Sequence, residues 1–93
     1  MKIYQSRSFE KKIKTMPKRE KEILDQEIRN IADHPSIGDE KKGNLRGIFV
    51  RKFKIKTAEY LLAYRMVGAD LELIMIGPHE NYYRALKNYL KSQ

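Results

Sequence analysis

His79 and Tyr83 stand four residues apart in the segment Gly77-Pro78-His79-Glu80-Asn81-Tyr82-Tyr83-Arg84, directly after a run of strand-like alternation. Upstream, no acidic residue occurs between Lys41 and Ala58, yet Lys41, Lys42, Arg46, Arg51, Lys52, Lys54 and Lys56 all fall there. An imidazole and a phenol can move protons as a general acid/base pair, and a row of cations without acidic neighbours attracts a polyanion. Cleavage of a polymer such as RNA requires both. Each part also has an ordinary structural role. A histidine after a strand serves as a cap or hydrogen-bonded loop residue, strand-edge lysines block aggregation, and Glu80 favours a helix N-terminus.

The elements that must position these residues follow from periodicity. Lys2–Gln5 predicts a short first strand. Phe9, Ile13 and Met16 recur at i, i+4 and i+7, giving a helix with one apolar stripe behind a Ser6 or Ser8 cap. Pro17 separates it from a second helix, in which Ile23, Leu24, Glu27, Ile28, Ile31 and Ala32 follow a 3.6 period until Asp33-His34-Pro35. Ser36–Asn44 reads as a loop. Three strand patterns come next, Phe49–Thr57, Tyr60–Val67 and Asp70–Ile76, joined by hairpin-length turns into an antiparallel meander. Asn81–Lys91 closes the chain as a helix with Tyr82, Leu86, Tyr89 and Leu90 on one stripe.

The order βααβββα predicts an α+β domain over residues 1–93. A helical hairpin packs on a mostly antiparallel four-stranded sheet, followed by the C-terminal helix. The hairpin is expected over Phe49, Phe53, Tyr64 and Met66, and Leu71, Leu73 and Met75 form the apolar set of the last strand. The other face then displays Lys52, Lys54 and Lys56, with Arg65 on the neighbouring strand. On that strand a guanidinium with no acidic residue close in sequence calls for an anion. Tyr83 shares a face with His79 if the helix begins near residue 80, whereas Tyr82 points to the core.

Composition narrows the partners. Ninety-three residues, 41% apolar, make one core, and a net charge of +8 with a pI near 9.8 puts nucleic acid first, ahead of an acidic protein or an anionic membrane. No apolar run approaches the ~20 residues needed to cross a bilayer, and no signal-peptide core is present, so a cytoplasmic protein with no membrane partner is expected. With no cysteine and two histidines, no metal-ligand motif forms. Phosphate-binding glycine loops and serine–histidine–acid arrangements are missing as well, and no cofactor is expected.

Taken in order, Asn44-Leu45-Arg46-Gly47, Lys54-Ile55-Lys56, Tyr60-Leu61-Leu62-Ala63-Tyr64-Arg65 and Gly-Pro-His-Glu-Asn-Tyr-Tyr-Arg resemble the RelE/ParE superfamily of bacterial type II toxins, across essentially the whole chain. That resemblance implies a small basic toxin held inactive in a hetero-oligomer with a cognate acidic antitoxin, and the self-repulsion of a +8 net charge favours a monomer when free. In the RelE, YoeB and YafQ branches it implies metal-independent cleavage of mRNA on the ribosome. There the ribose 2′-hydroxyl attacks the adjacent phosphate while basic side chains stabilise the developing charge. The expected catalytic set is Lys54, Arg65, His79 and Tyr83, of which Lys54, His79 and Tyr83 are carried over by position. Lys54 and Lys56 match the RelE strand lysines, His79 matches a RelE arginine in position and a YafQ-like histidine in chemistry, and Tyr83 matches the aromatic position of the YafQ branch. Arg46, Arg51, Lys52, Lys56 and Arg84 are the expected contacts to RNA or the ribosome. One departure is clear. The RelE arginine after the first tyrosine of the middle strand is Leu61 here, and Arg65 lies about 13 Å further along the strand. It either substitutes for that arginine or serves RNA binding alone.

Two other readings compete. A toxin of the ParE branch would bind DNA gyrase and have no use for a His79/Tyr83 pair. A non-catalytic RNA-binding module would ordinarily display stacking aromatics on its sheet.

Overall fold

The computed structural model describes residues 1–92. Its elements are β1 (Ile3–Gln5), α1 (Arg7–Lys14), α2 (Lys18–Asp33), β2 (Asp39–Glu40), β3 (Phe49–Ile55), β4 (Ala58–Val67), β5 (Asp70–Pro78) and α3 (Tyr82–Lys91). The sheet has five strands rather than four, in the order β1-β5-β4-β3-β2. The additional strand, β2, lies inside the segment expected as loop, where two residues pair with Val50 and Phe49. So short a strand leaves no period-two trace in sequence. β1 runs parallel to β5, and the other pairings are antiparallel.

Local chemistry explains the helix starts. Ser6 caps α1, its hydroxyl accepting from Phe9 N–H at 3.0 Å and donating to the Ile74 carbonyl. That second bond ties α1 to β5 where the strand is irregular: Ala63 pairs with Met75 but Tyr64 with Leu73, which leaves Ile74 as a bulge. The bulge reverses the parity of β5. Leu71, Leu73 and Ile76 join the core under α1 and α2, whereas Ile74 and Met75 belong to the other face. Strict alternation had put Met75 with Leu71 and Leu73; the extra residue is why it moves.

The hairpin-side core packs Phe9, Leu24 and Ile31 against Leu62, Tyr64, Leu71 and Leu73, with Phe49, Phe53, Tyr60 and Met66 around them, as the alternation predicted. The opposite face is not an open cationic surface. Leu45, Ile48, Val50, Leu61, Ala63, Ile74, Tyr82 and Leu86 form a second core there, roofed by α3 and the 43–48 segment. The domain is therefore three layers deep, and only the margins of that face remain for function.

Candidate active site

The margin beside the β3–β4 turn holds most of the candidate chemistry. Lys52 and Lys54 are exposed on β3 and share its even-numbered face with the buried Val50. Lys54 pairs in register with Glu59, and the Glu59 carbonyl accepts the His79 N–H at 3.3 Å, one step beyond the end of β5. His79 is exposed. Lys54 and His79 thus lie at one end of the sheet, two strand spacings or about 10 Å apart across it. Both side chains are exposed there, with Glu59 on the strand between them.

The other candidates are distributed differently. Lys56 lies outside β3, in the turn, with a left-handed φ of 58°, so it does not continue the Lys52/Lys54 row. Arg51 has odd parity and faces the hairpin, where its Nε donates to the buried Glu27 carboxylate at 3.3 Å. It fastens α2 to β3 and is not a free RNA contact. Arg65 is not the unpartnered guanidinium expected from sequence. Glu72 sits directly opposite on β5, and the two form an ion pair. Seven residues of chain separate them, and only strand register reveals the neighbourhood. Arg65 is also six residues along β4 from Glu59, about 20 Å from the Lys54/His79 end. It cannot share a phosphate with them.

His79 and Tyr83 do not form a helical i, i+4 pair either. α3 begins at Tyr82, and Asn81 before it is left-handed at φ 58°, so His79 precedes the helix. Tyr82 is core, as expected. Its hydroxyl donates to the Met75 carbonyl at 2.6 Å, its ring lies against Gly77, and burial pushes its pKa well above the ordinary tyrosine value. Tyr83 is half-buried, edge-on to Tyr82 at 5.6 Å, with the Lys41 ammonium 5.2 Å from its ring centroid. Arg84, in the first turn of α3, and Arg46, after the 43–45 turn, are exposed. Leu61, where the resemblance expects an arginine, is 1% exposed beneath α3.

Sequence reasoning missed Glu59, Glu72 and the place of Lys41. The first two are visible only through strand register, and Lys41 through the fold of its loop. Among the described residues no group of three or more His, Asp or Glu could hold a metal ion, and no helix is long and apolar enough to cross a membrane.

A five-stranded mixed sheet between a helical hairpin and a C-terminal helix, with cations and a histidine at one sheet end, defines a small basic α+β domain. The chain belongs to the ParE-like toxin family of type II bacterial toxin–antitoxin systems, whose model it matches over residues 3–87. Solved structures agree. The intact E. coli RelBE toxin–antitoxin complex aligns with a TM-score of 0.68 at 17% identity, covering 85% of this chain and 96% of that one. The isolated E. coli RelE toxin aligns at 0.66 and 18%, covering 95% and 97%. A YoeB/ParE toxin from Agrobacterium tumefaciens aligns at 0.65 and 29% identity, covering 85% and 99%. No protein of curated function matches the sequence.

Proposed function

We propose that this toxin is a metal-independent endonuclease that cleaves mRNA on the ribosome and is restrained by an acidic antitoxin. The observation that carries the reading is the β3–β4–β5 register, which sets an exposed lysine, Lys54, and an exposed histidine, His79, on either side of Glu59. In RNA cleavage the ribose 2′-oxygen bonds to the adjacent phosphorus and the bond from phosphorus to the 5′-oxygen breaks. Histidine is the side chain whose two protonation states are both accessible near neutral pH. In this mechanism His79 takes the 2′-hydroxyl proton as attack proceeds. Lys54 lies against the charge that builds on the non-bridging oxygens, and water protonates the leaving 5′-oxygen. Lys52, two residues from Lys54 on the same face, holds the neighbouring backbone.

The resemblance to RelE and YoeB toxins supports both the chemistry and the antitoxin partner. One feature favours the gyrase-directed alternative of the ParE branch, the burial of Leu61 where RelE carries an arginine. Translation of a reporter mRNA with purified toxin, followed by primer extension, separates the two. The nuclease reading expects new 5′ ends inside the translated region, and only while ribosomes are translating. Growth inhibition with intact mRNA and altered plasmid supercoiling would replace it with the gyrase reading.

A further inference from the structure

At the opposite end of β3 from Lys54, the 41–45 loop and the first two turns of α3 enclose a cleft of about 470 Å³. Lys41, Lys42 and Lys87 line it with Asn44 and Tyr83, and its lining contains no acidic residue. Among the described residues none of these lysines is ion-paired. Surface lysines are ordinarily mobile and interspersed with acids. Here the frame beneath them is fixed. The Lys41 N–H donates to the Ile48 carbonyl at 2.8 Å, and Leu45 and Ile48 are buried in the second core. Gly43, at φ 66° with open space where a Cβ would stand, makes the turn between Lys41 and Leu45. On the other wall the Tyr83 ring is braced edge-on by buried Tyr82 and holds the Lys41 ammonium over its face. Three cations are thereby gathered around one concavity with no internal counter-charge.

We propose that this cleft is a backbone-phosphate subsite for single-stranded RNA, in which Lys41, Lys42 and Lys87 hold the strand that leads from the scissile phosphate. The identity of the polymer rests on the nuclease reading. Position supports it. Tyr83 is four residues from His79, so even an extended chain separates them by no more than about 14 Å. Lys41 bonds to Ile48, six residues or about 20 Å along β3 from Lys54, so RNA that passes between Lys54 and His79 reaches the cleft by following the start of α3 for several flanking nucleotides. Tyr83 then acts by immobilising Lys41 rather than by moving a proton.

The test measures binding and not cleavage, so it survives failure of the nuclease reading. A fluorescent single-stranded RNA oligonucleotide is titrated across a range of salt in a His79→Ala background, to keep the strand intact. Alanine replaces Lys41, Lys42 and Lys87 in one variant and Lys11, Lys12 and Lys18, exposed on the helical hairpin, in another. Both lose the same net charge, and circular dichroism confirms that both fold. Each phosphate contact in a single strand contributes about 0.7 to the slope of log K against log salt. The cleft variant should therefore lose about 2 from that slope, with the hairpin variant within about 0.5 of the parent. Equal losses in both would overturn the subsite and leave only diffuse charge. So would polyglutamate binding the parent as tightly as RNA and losing affinity in the cleft variant to the same degree, because the cleft would then be a dock for acidic peptide. If translating ribosomes show no mRNA cleavage but the slopes differ as expected, the nuclease reading falls and the subsite stands.

Discussion

At the scale of single residues, the candidate cations separate into those engaged by carboxylates and those left for a ligand. Arg51 and Arg65 are engaged, by Glu27 and Glu72. Lys52 and Lys54 are not. Two predictions follow from that division. Lys54→Ala should lower the single-turnover cleavage rate even with ribosomes saturating, because an interaction made in the transition state appears in kcat. Lys52→Ala should mainly weaken binding. Equal, purely binding-level defects would remove Lys54 from the chemistry. Arg65→Ala should cleave at close to the wild-type rate and cost about 1 kcal/mol by urea unfolding, since its ion pair is partly exposed to solvent. A hundredfold loss of rate would restore Arg65 to the site. None of this division was legible from composition. An acid-free stretch in sequence says nothing about which acid lies across the sheet, and Glu27 and Glu72 both lie outside the stretch.

At the scale of elements, α3 does more than end the chain. It roofs a core that includes Leu61, Ala63 and Leu86, and it brings Tyr82 onto β5. The sequence showed its apolar stripe but not what the stripe covers, because periodicity identifies a buried face without naming its partner. The same limit hid the bulge at Ile74 and the left-handed Asn81, each of which changes a phase that simple counting carries forward. Two consequences can be measured. Leu61→Arg, which reinstates the family's arginine, should not raise activity. It would bury an unpaired guanidinium under α3 and cost about 3 kcal/mol or more, seen as a fall in the urea midpoint. A stable and faster variant would show that α3 moves aside readily. The buried Tyr82 hydroxyl, with its pKa raised by desolvation, gives a pH dependence whose sign is fixed. The unfolded chain ionises this tyrosine near its ordinary value of 10.0, where the folded chain still holds the proton. Its contribution is therefore full below pH 10 and lost as pH rises further. Burial raises the Tyr64 pKa in the same direction. Tyr82→Phe should flatten the fall in unfolding free energy above pH 10, and an unchanged slope would contradict its burial.

At the scale of the whole molecule, a net charge of +8 is carried on a body of 33 × 29 × 21 Å. With a Debye length of about 8 Å at physiological salt, its faces act as separate electrostatic surfaces. The hairpin face is closed by α1 and α2 over a core that the sequence patterns identified almost residue by residue. The α3 face is closed at its centre, and its cations lie at the margins, Lys52 and Lys54 on the sheet and Lys41, Lys42 and Lys87 around the cleft. Architecture was legible because three amphipathic strands and three amphipathic helices in this order admit few packings, and the family because the ordered segments from Asn44 to Arg84 resemble it. The site was legible only as a list of residues. Which of them meet depends on register, on one bulge and on the point where α3 starts. The central claim is that His79 moves a proton during RNA cleavage, and the most direct measurement is the single-turnover cleavage rate on mRNA-programmed ribosomes for the wild type and for His79→Ala. A fall of about 10²–10⁴-fold with unchanged ribosome affinity is the predicted result, the usual scale for removing a positioned acid or base. Cleavage by His79→Ala at the wild-type rate would contradict the account and return His79 to a loop residue at the end of β5.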